Sequence, residues 1–113
     1  MKDGNRAPEV SVDALAVALE GGAPLVDVRE VEEYLAGRVP GARLVPLSEL
    51  EARAREIPED TRVYLICRTG ARSLAAATAL NRAGWDTVSV AGGTMAWVES
   101  GRPIESAGQG PPT

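Results

Sequence analysis

Short apolar runs that alternate with helix-forming stretches predict an α/β fold. The expected form is a three-layer α/β/α domain with a central, mostly parallel five-stranded sheet and helices on both faces. The runs Leu25-Val26-Asp27-Val28 and Val63-Tyr64-Leu65-Ile66 read as buried strands. In parallel α/β sheets, sites form at the carboxyl ends of the strands. Three segments, Asp27 to Arg29, Cys67 and Ala91 to Gly93, all leave predicted strands at that edge.

Taken in order, residues 1–8 are polar and read as a flexible leader before a domain spanning 9–105. Glu9-Val10 is a short strand. Ser11 is a suitable N-cap for a helix over Val12 to Leu19, and Gly21-Gly22 stops it. The strand at 25–28 leads to a short helix, Val31 to Leu35, and then to a Gly- and Pro-rich turn at 37–42. Arg43-Leu44-Val45 is a short strand closed by Pro46. Ser48-Glu49-Leu50-Glu51 has the pattern of a capping box for a helix reaching Glu56. After the strand at 63–66, Ser73 is a natural helix-start residue, and Leu74, Ala77 and Leu80 form an apolar stripe ending at Gly84. Thr87-Val88-Ser89-Val90 is the last strand. Thr94 to Ser100 is the last helix, and the Gly- and Pro-rich segment 106–113 reads as disordered.

The 113 residues suffice for one core, which must be aliphatic because the chain has no Phe and only two Trp and two Tyr. The net charge of −4 and the lack of a basic block argue against nucleic acid as a partner. No membrane-length apolar run or signal sequence is evident, so a cytoplasmic location is expected. There is no His, which removes Cys-His and Ser-His-Asp machinery and makes a zinc site improbable. One Cys cannot form an internal disulfide, nor resolve its own oxidised form; an outside nucleophile must do that.

That cysteine lies in Cys67-Arg68-Thr69-Gly70-Ala71-Arg72-Ser73, between a strand and a helix. A Cys after an apolar strand is ordinarily a small buried hydrophobe. Two arginines, a glycine and a helix start within six residues favour an anion site instead. Unpaired amides at the helix start and the flanking Arg68 and Arg72 should lower the thiol pKa. Gly70 can take positive φ, so that successive amides curl around an anion. Thr69 and Ala71 are expected to act through their backbone amides. Arg72 is expected to close the loop as the anion-binding charge, whereas Arg68 could equally face solvent. Asp27 and Arg29 could serve as a substrate pair, but are expected rather to brace the rim; Trp97 and Tyr34 are expected to pack, and Gly92-Gly93 to allow close backbone approach.

These motifs together resemble the rhodanese-type sulfurtransferases of single-domain form. Asp27-Val28-Arg29-Glu30 followed by Tyr34 resembles the family's first signature, and Arg38-Val39-Pro40-Gly41-Ala42 its Gly-His-Ile-Pro-Gly-Ala turn. The Cys67 loop resembles its active-site loop. Gly92-Gly93, Trp97, Gly101 and Pro103 resemble its C-terminal signature. The resemblance covers Val10 to Pro103, and departs from the pattern at Arg38, where the family usually has His. It implies that Cys67 takes a sulfane sulfur from thiosulfate, a polysulfide or a persulfide. The resulting Cys67 persulfide, held by Arg68, Thr69, Gly70, Ala71, Arg72 and Ser73, would pass it to cyanide, a small thiol or a protein thiol. No cofactor or metal is implied. Two rivals remain at this stage. Related Cys-dependent phosphatases place five residues between Cys and Arg, against four here, Arg68 to Ala71, which makes a smaller pocket. A non-catalytic binding module would not require the cysteine.

Overall fold

A computed structural model describes residues 6–107. Its elements run β1 (Glu9–Val10), α1 (Val12–Glu20), β2 (Leu25–Asp27), α2 (Val31–Ala36), β3 (Arg43–Leu44), α3 (Leu50–Arg53), β4 (Val63–Ile66), α4 (Ala71–Arg82), β5 (Thr87–Val90) and α5 (Gly93–Glu99). Short 3-10 turns, Leu47–Glu49 and Ala54–Glu56, flank α3. The five strands form one sheet in the order β1-β5-β4-β2-β3, and every strand pairing in it is parallel. The expected α/β architecture is therefore the observed one. An antiparallel bridge, Arg38 to Glu105, lies outside the sheet.

Alternate strand residues point to opposite faces, and this divides the core in two. Val26, Val28, Val63, Leu65 and Cys67 face α4, where they meet Ala76, Ala77 and Leu80. Leu25, Ile66 and Val90 face the other side and pack with Leu15 of α1 and Trp97 of α5. Each fully buried aliphatic side chain contributes roughly 1.5–3 kcal/mol, so the absence of Phe is offset by many Val, Leu and Ile contacts. Cys67 continues the α4-facing series and is only 1% exposed.

Four local expectations need correction. Helix α4 starts at Ala71, not at Ser73. Gly70, at φ 114°, takes the N-cap position, and its carbonyl accepts the Leu74 N–H at 3.0 Å. Ser73 is thereby carried inside the helix, and Ser73 and Ala76, rather than the half-buried Leu74, complete the buried stripe with Ala77 and Leu80. The capping box at Ser48 does not form. Glu49 N–H is taken by the Pro46 carbonyl at 2.8 Å, which sets Ser48 within a 3-10 turn where its hydroxyl cannot cap. A reach-back of this kind occurs instead at α2, where the Glu33 carboxylate accepts the Glu30 N–H at 3.0 Å. The fourth correction concerns the leader. Residues 1–5 lie outside the described residues, but Ala7 is buried and donates its N–H to Thr78 Oγ1 at 3.0 Å, and the Pro8 carbonyl accepts from Ser89 N at 2.9 Å. The packed body thus begins before Glu9. The expected disordered tail lies mostly in 108–113, outside the described residues.

Among the described residues no helix is long and apolar enough to cross a membrane. Arg38, at the family's usual His position, stacks over the Tyr34 ring with its guanidinium carbon 4.6 Å from the centroid. It also reaches Glu105 at 3.9 Å, so it ties the turn to the end of the domain.

Candidate active site

Strand β4 delivers Cys67 to the carboxyl edge of the sheet, and α4 begins four residues later. Between them the chain wraps its own sulfur. Sγ accepts the Gly70 N–H at 3.1 Å, the Ser73 N–H at 3.3 Å and the Ser73 hydroxyl at 3.4 Å. Burial pushes the Cys67 thiol up. The Ser73 hydroxyl, with the Ser73, Gly70 and Thr69 amides, outweighs burial and holds the thiol below its usual range. The cradle therefore stabilises negative charge on sulfur with neutral, fixed donors.

Arg72 is engaged by a carboxylate, although its charge and that of a Cys67 thiolate still favour one another. Arg72 does not present a free cation to the sulfur. It forms a two-pronged pair with Glu33, both N–O distances 2.8 Å. The Arg72 hydrogen bonds are the main reason that the Glu33 carboxyl is lowered to about 2. A cation in the first turn of a helix opposes the helix dipole, and Glu33 compensates for it. Arg68 is exposed and lies along Met95, with Nε 3.5 Å from Sδ. Its guanidinium has no carboxylate partner among the described residues. Thr69 and Ala71 are exposed, and of the two only Thr69, through its amide, acts on the sulfur.

The loop is clamped from behind by α5. Thr94 donates both its N–H, at 2.9 Å, and its hydroxyl, at 3.1 Å, to the Cys67 carbonyl, and Met95 N–H meets the Arg68 carbonyl at 3.1 Å. Gly93 makes this contact possible. It has φ 60°, and a Cβ there would fall 2.5 Å from the carbonyl oxygens of Cys67 and Arg68. The expectation of close backbone approach at Gly92-Gly93 is met here.

Asp27 and Arg29 brace the neighbouring strand end. Arg29 Nε bonds Asp27 Oδ1 at 2.9 Å, and its Nη2 bonds Oδ2 and the Gly37 carbonyl, each at 2.8 Å. Both side chains are buried, and Arg29 N–H also donates to Asp27 Oδ1 at 3.0 Å. The pair ties β2 to the turn after α2.

Sequence reasoning missed Ser89. It is fully buried in β5, and its Oγ lies 2.8 Å from Ser73 Oγ and 3.4 Å from the Gly70 carbonyl. The available signal was a hydroxyl residue in a strand whose four residues are all buried. When Ser89 donates to Ser73, the Ser73 proton is left for the sulfur, and hydrogen bonds in series reinforce one another. Ser89→Ala is expected to slow iodoacetamide alkylation of Cys67 at neutral pH about two- to fivefold, the value of one neutral hydrogen bond, and to move the midpoint of its pH profile upward. An unchanged profile would leave Ser89 as packing alone.

The arrangement, a cradle of amides and one hydroxyl around a buried cysteine at a strand-to-helix turn of a parallel sheet, is one that favours negative charge on sulfur. The rhodanese-like domain family matches residues 11–100, and the chain belongs to that family. It is 40% identical over 81 residues to a sulfurtransferase of Allochromatium vinosum, covering 71% of this chain and 76% of that one. A Bacillus subtilis (strain 168) relative provisionally named as a sulfur carrier protein is 39% identical over 83 residues. That match covers 72% of this chain, which spans only 45% of the relative's length. The crystal structure of a rhodanese-related protein from Thermoplasma volcanium superimposes with a TM-score of 0.82 at 30% identity, covering 87% of this chain and 97% of that one.

Proposed function

We propose that this protein is a sulfurtransferase that carries sulfane sulfur as a persulfide on Cys67. The observation that supports this most directly is the convergence of the Gly70 and Ser73 amides and the Ser73 hydroxyl on Sγ. Donors fixed in place before reaction stabilise a developing anion without reorganising.

With thiosulfate as donor, the Cys67 thiolate attacks the outer sulfur. An Sγ–S bond forms, the donor's S–S bond breaks, and sulfite leaves with the bonding pair. The terminal sulfur now bears the charge. Cyanide or a thiolate then attacks that sulfur, and the Cys67 thiolate is the leaving group. Neither step requires a proton relay, which suits a chain without histidine. The relatives' printed names, a sulfurtransferase and a sulfur carrier, point the same way. A small thiol or a protein thiol is the acceptor we infer for the cell, in a reducing, cytoplasmic setting that keeps a lone cysteine as thiol. The four-residue spacing from Cys67 to Arg72, and the engagement of Arg72 by Glu33, leave less support for phosphate-ester chemistry.

Intact mass measurement after brief exposure to thiosulfate tests this. The expected result is a gain of one sulfur atom, lost on adding cyanide as thiocyanate appears. A protein that gains no sulfur from thiosulfate or polysulfide would overturn the reading.

A further inference from the structure

Most charges beside the sulfur cradle are engaged with one another. Asp27 faces Arg72 from β2, but its carboxylate holds Arg29. Glu33 holds Arg72 itself, through two hydrogen bonds of 2.8 Å. Only Arg68, lying along Met95, has no carboxylate partner among the described residues. Arg72 is the cation closest in sequence to the sulfur's donors. It stands in the first turn of α4, directly before Ser73, whose N–H and hydroxyl reach Sγ at 3.3 and 3.4 Å. Its charge and that of a Cys67 thiolate favour one another. Glu33 opposes that attraction from α2. Its carboxyl is held at about 2, so it is ionised wherever the thiolate forms. The reach-back to the Glu30 N–H at 3.0 Å also fixes the carboxylate in position.

We propose that Glu33 is a specificity-determining residue: by answering the Arg72 guanidinium, it lowers the attraction of the site for doubly charged sulfur donors relative to singly charged ones. This rests on the reading of Cys67 as the sulfur carrier. Glu33 is a positioning residue here, acting through Arg72 rather than by touching the donor. The physical reason is Coulombic. A thiolate that attacks a dianion gathers more like charge than one that attacks a monoanion, and the energy scales with the product of the charges. Each exposed positive charge near the sulfur therefore helps the dianion more, and Glu33 offsets one. Arg72 and Glu33 are 36% and 31% exposed, so solvent and salt reach the pair and moderate the effect. A purely structural tie between α2 and α4 would instead act equally on all donors.

Two donors of different charge test this. Thiosulfate is doubly charged at neutral pH and methanethiosulfonate singly charged. Each gives its outer sulfur to the thiolate, and sulfite or methanesulfinate leaves with the bonding pair. Sulfur transfer to cyanide would be followed with both donors in wild type, Glu33→Gln and Glu33→Asp. Glu33→Gln can keep Oε1, which accepts both the Glu30 N–H and Arg72 Nη1, while it removes the charge. It is expected to raise the thiosulfate-to-methanethiosulfonate ratio of kcat/KM about threefold or more at low salt, a gain that shrinks as ionic strength rises. Glu33→Asp keeps the charge and should stay near the wild-type ratio. Alkylation of Cys67 by iodoacetate, relative to neutral iodoacetamide, should rise in Glu33→Gln in the same way, with no sulfur transfer involved. Ratios of this kind cancel any general loss of active protein. Unchanged ratios in Glu33→Gln, with sulfur still transferred, would overturn the role of Glu33 and leave the Cys67 reading intact. An equal shift in Glu33→Asp would assign the change to geometry and overturn it as well. Failure of both donors to load Cys67 in every variant would instead overturn the carrier reading, whatever the alkylation ratio.

Discussion

Cys67→Ser is expected to lose sulfur transfer by about 10⁴-fold or more, as when a nucleophile is removed, while the protein stays folded. Serine nearly matches the shape of cysteine, and its oxygen can still accept the Gly70 and Ser73 amides that Sγ accepts at 3.1 and 3.3 Å. What it cannot do is ionise. The cradle lowers the thiol pKa by favouring the anion, but a few hydrogen bonds cannot bring an alcohol into the neutral range, and no histidine is present to take its proton. Nor can an oxygen carry sulfane sulfur as a persulfide. Cys67→Ala separates these effects further. It leaves two buried amides without their acceptor and is expected to cost about 1–3 kcal/mol of stability in addition to activity. Thermal unfolding and a thiocyanate assay on both variants check the pair. Residual turnover of more than a few per cent in Cys67→Ser would show that Cys67 is not the sulfur carrier.

The layers and the parallel sheet were legible because burial writes itself into the chain as period. In β4 the alternation of Val63 and Leu65 against Tyr64 and Ile66 corresponds to two packed faces, and the same alternation aims Cys67 toward α4. The loop was legible because residue types that suit an anion site crowd around one cysteine. Its electrostatics were not. Nothing local to Arg72 announces that Glu33, 39 positions away in the chain, neutralises it. A charge's partner is a tertiary fact, and here the amides and Ser73 contact the sulfur directly while Arg72 acts on it only through its charge. Ser73 was misplaced for a related reason: a serine at a helix start ordinarily caps it, whereas here Gly70 takes that place and frees the hydroxyl for sulfur. Ser89 stayed hidden because its contact, to Ser73, crosses from strand to helix.

Asp27→Ala is expected to destabilise the fold by about 3–5 kcal/mol, the usual result of stripping one member from a buried ion pair. The Asp27 side chain is 0% and that of Arg29 6% exposed, and the two share short bonds at 2.8 and 2.9 Å. Removal of the carboxylate strands a guanidinium that retains only the Gly37 carbonyl as a partner. It also orphans the Arg29 N–H, which bonds Oδ1 at 3.0 Å. The loss would fall beside the site, because Asp27 is paired in register with Ile66, the residue before Cys67. In a domain of this size the change corresponds to a fall in Tm of roughly 10 °C or more. Asp27→Asn keeps a neutral acceptor and should lose less. The decisive comparison is the double variant Asp27→Leu with Arg29→Met. If the penalty comes from an uncompensated charge rather than lost packing, removing both charges should recover much of the stability, since apolar replacement of a buried pair is often close to neutral. Urea unfolding of the single and double variants measures the coupling. A single-variant loss below about 1 kcal/mol, or a double variant no better than the single, would show that the pair does not brace the rim.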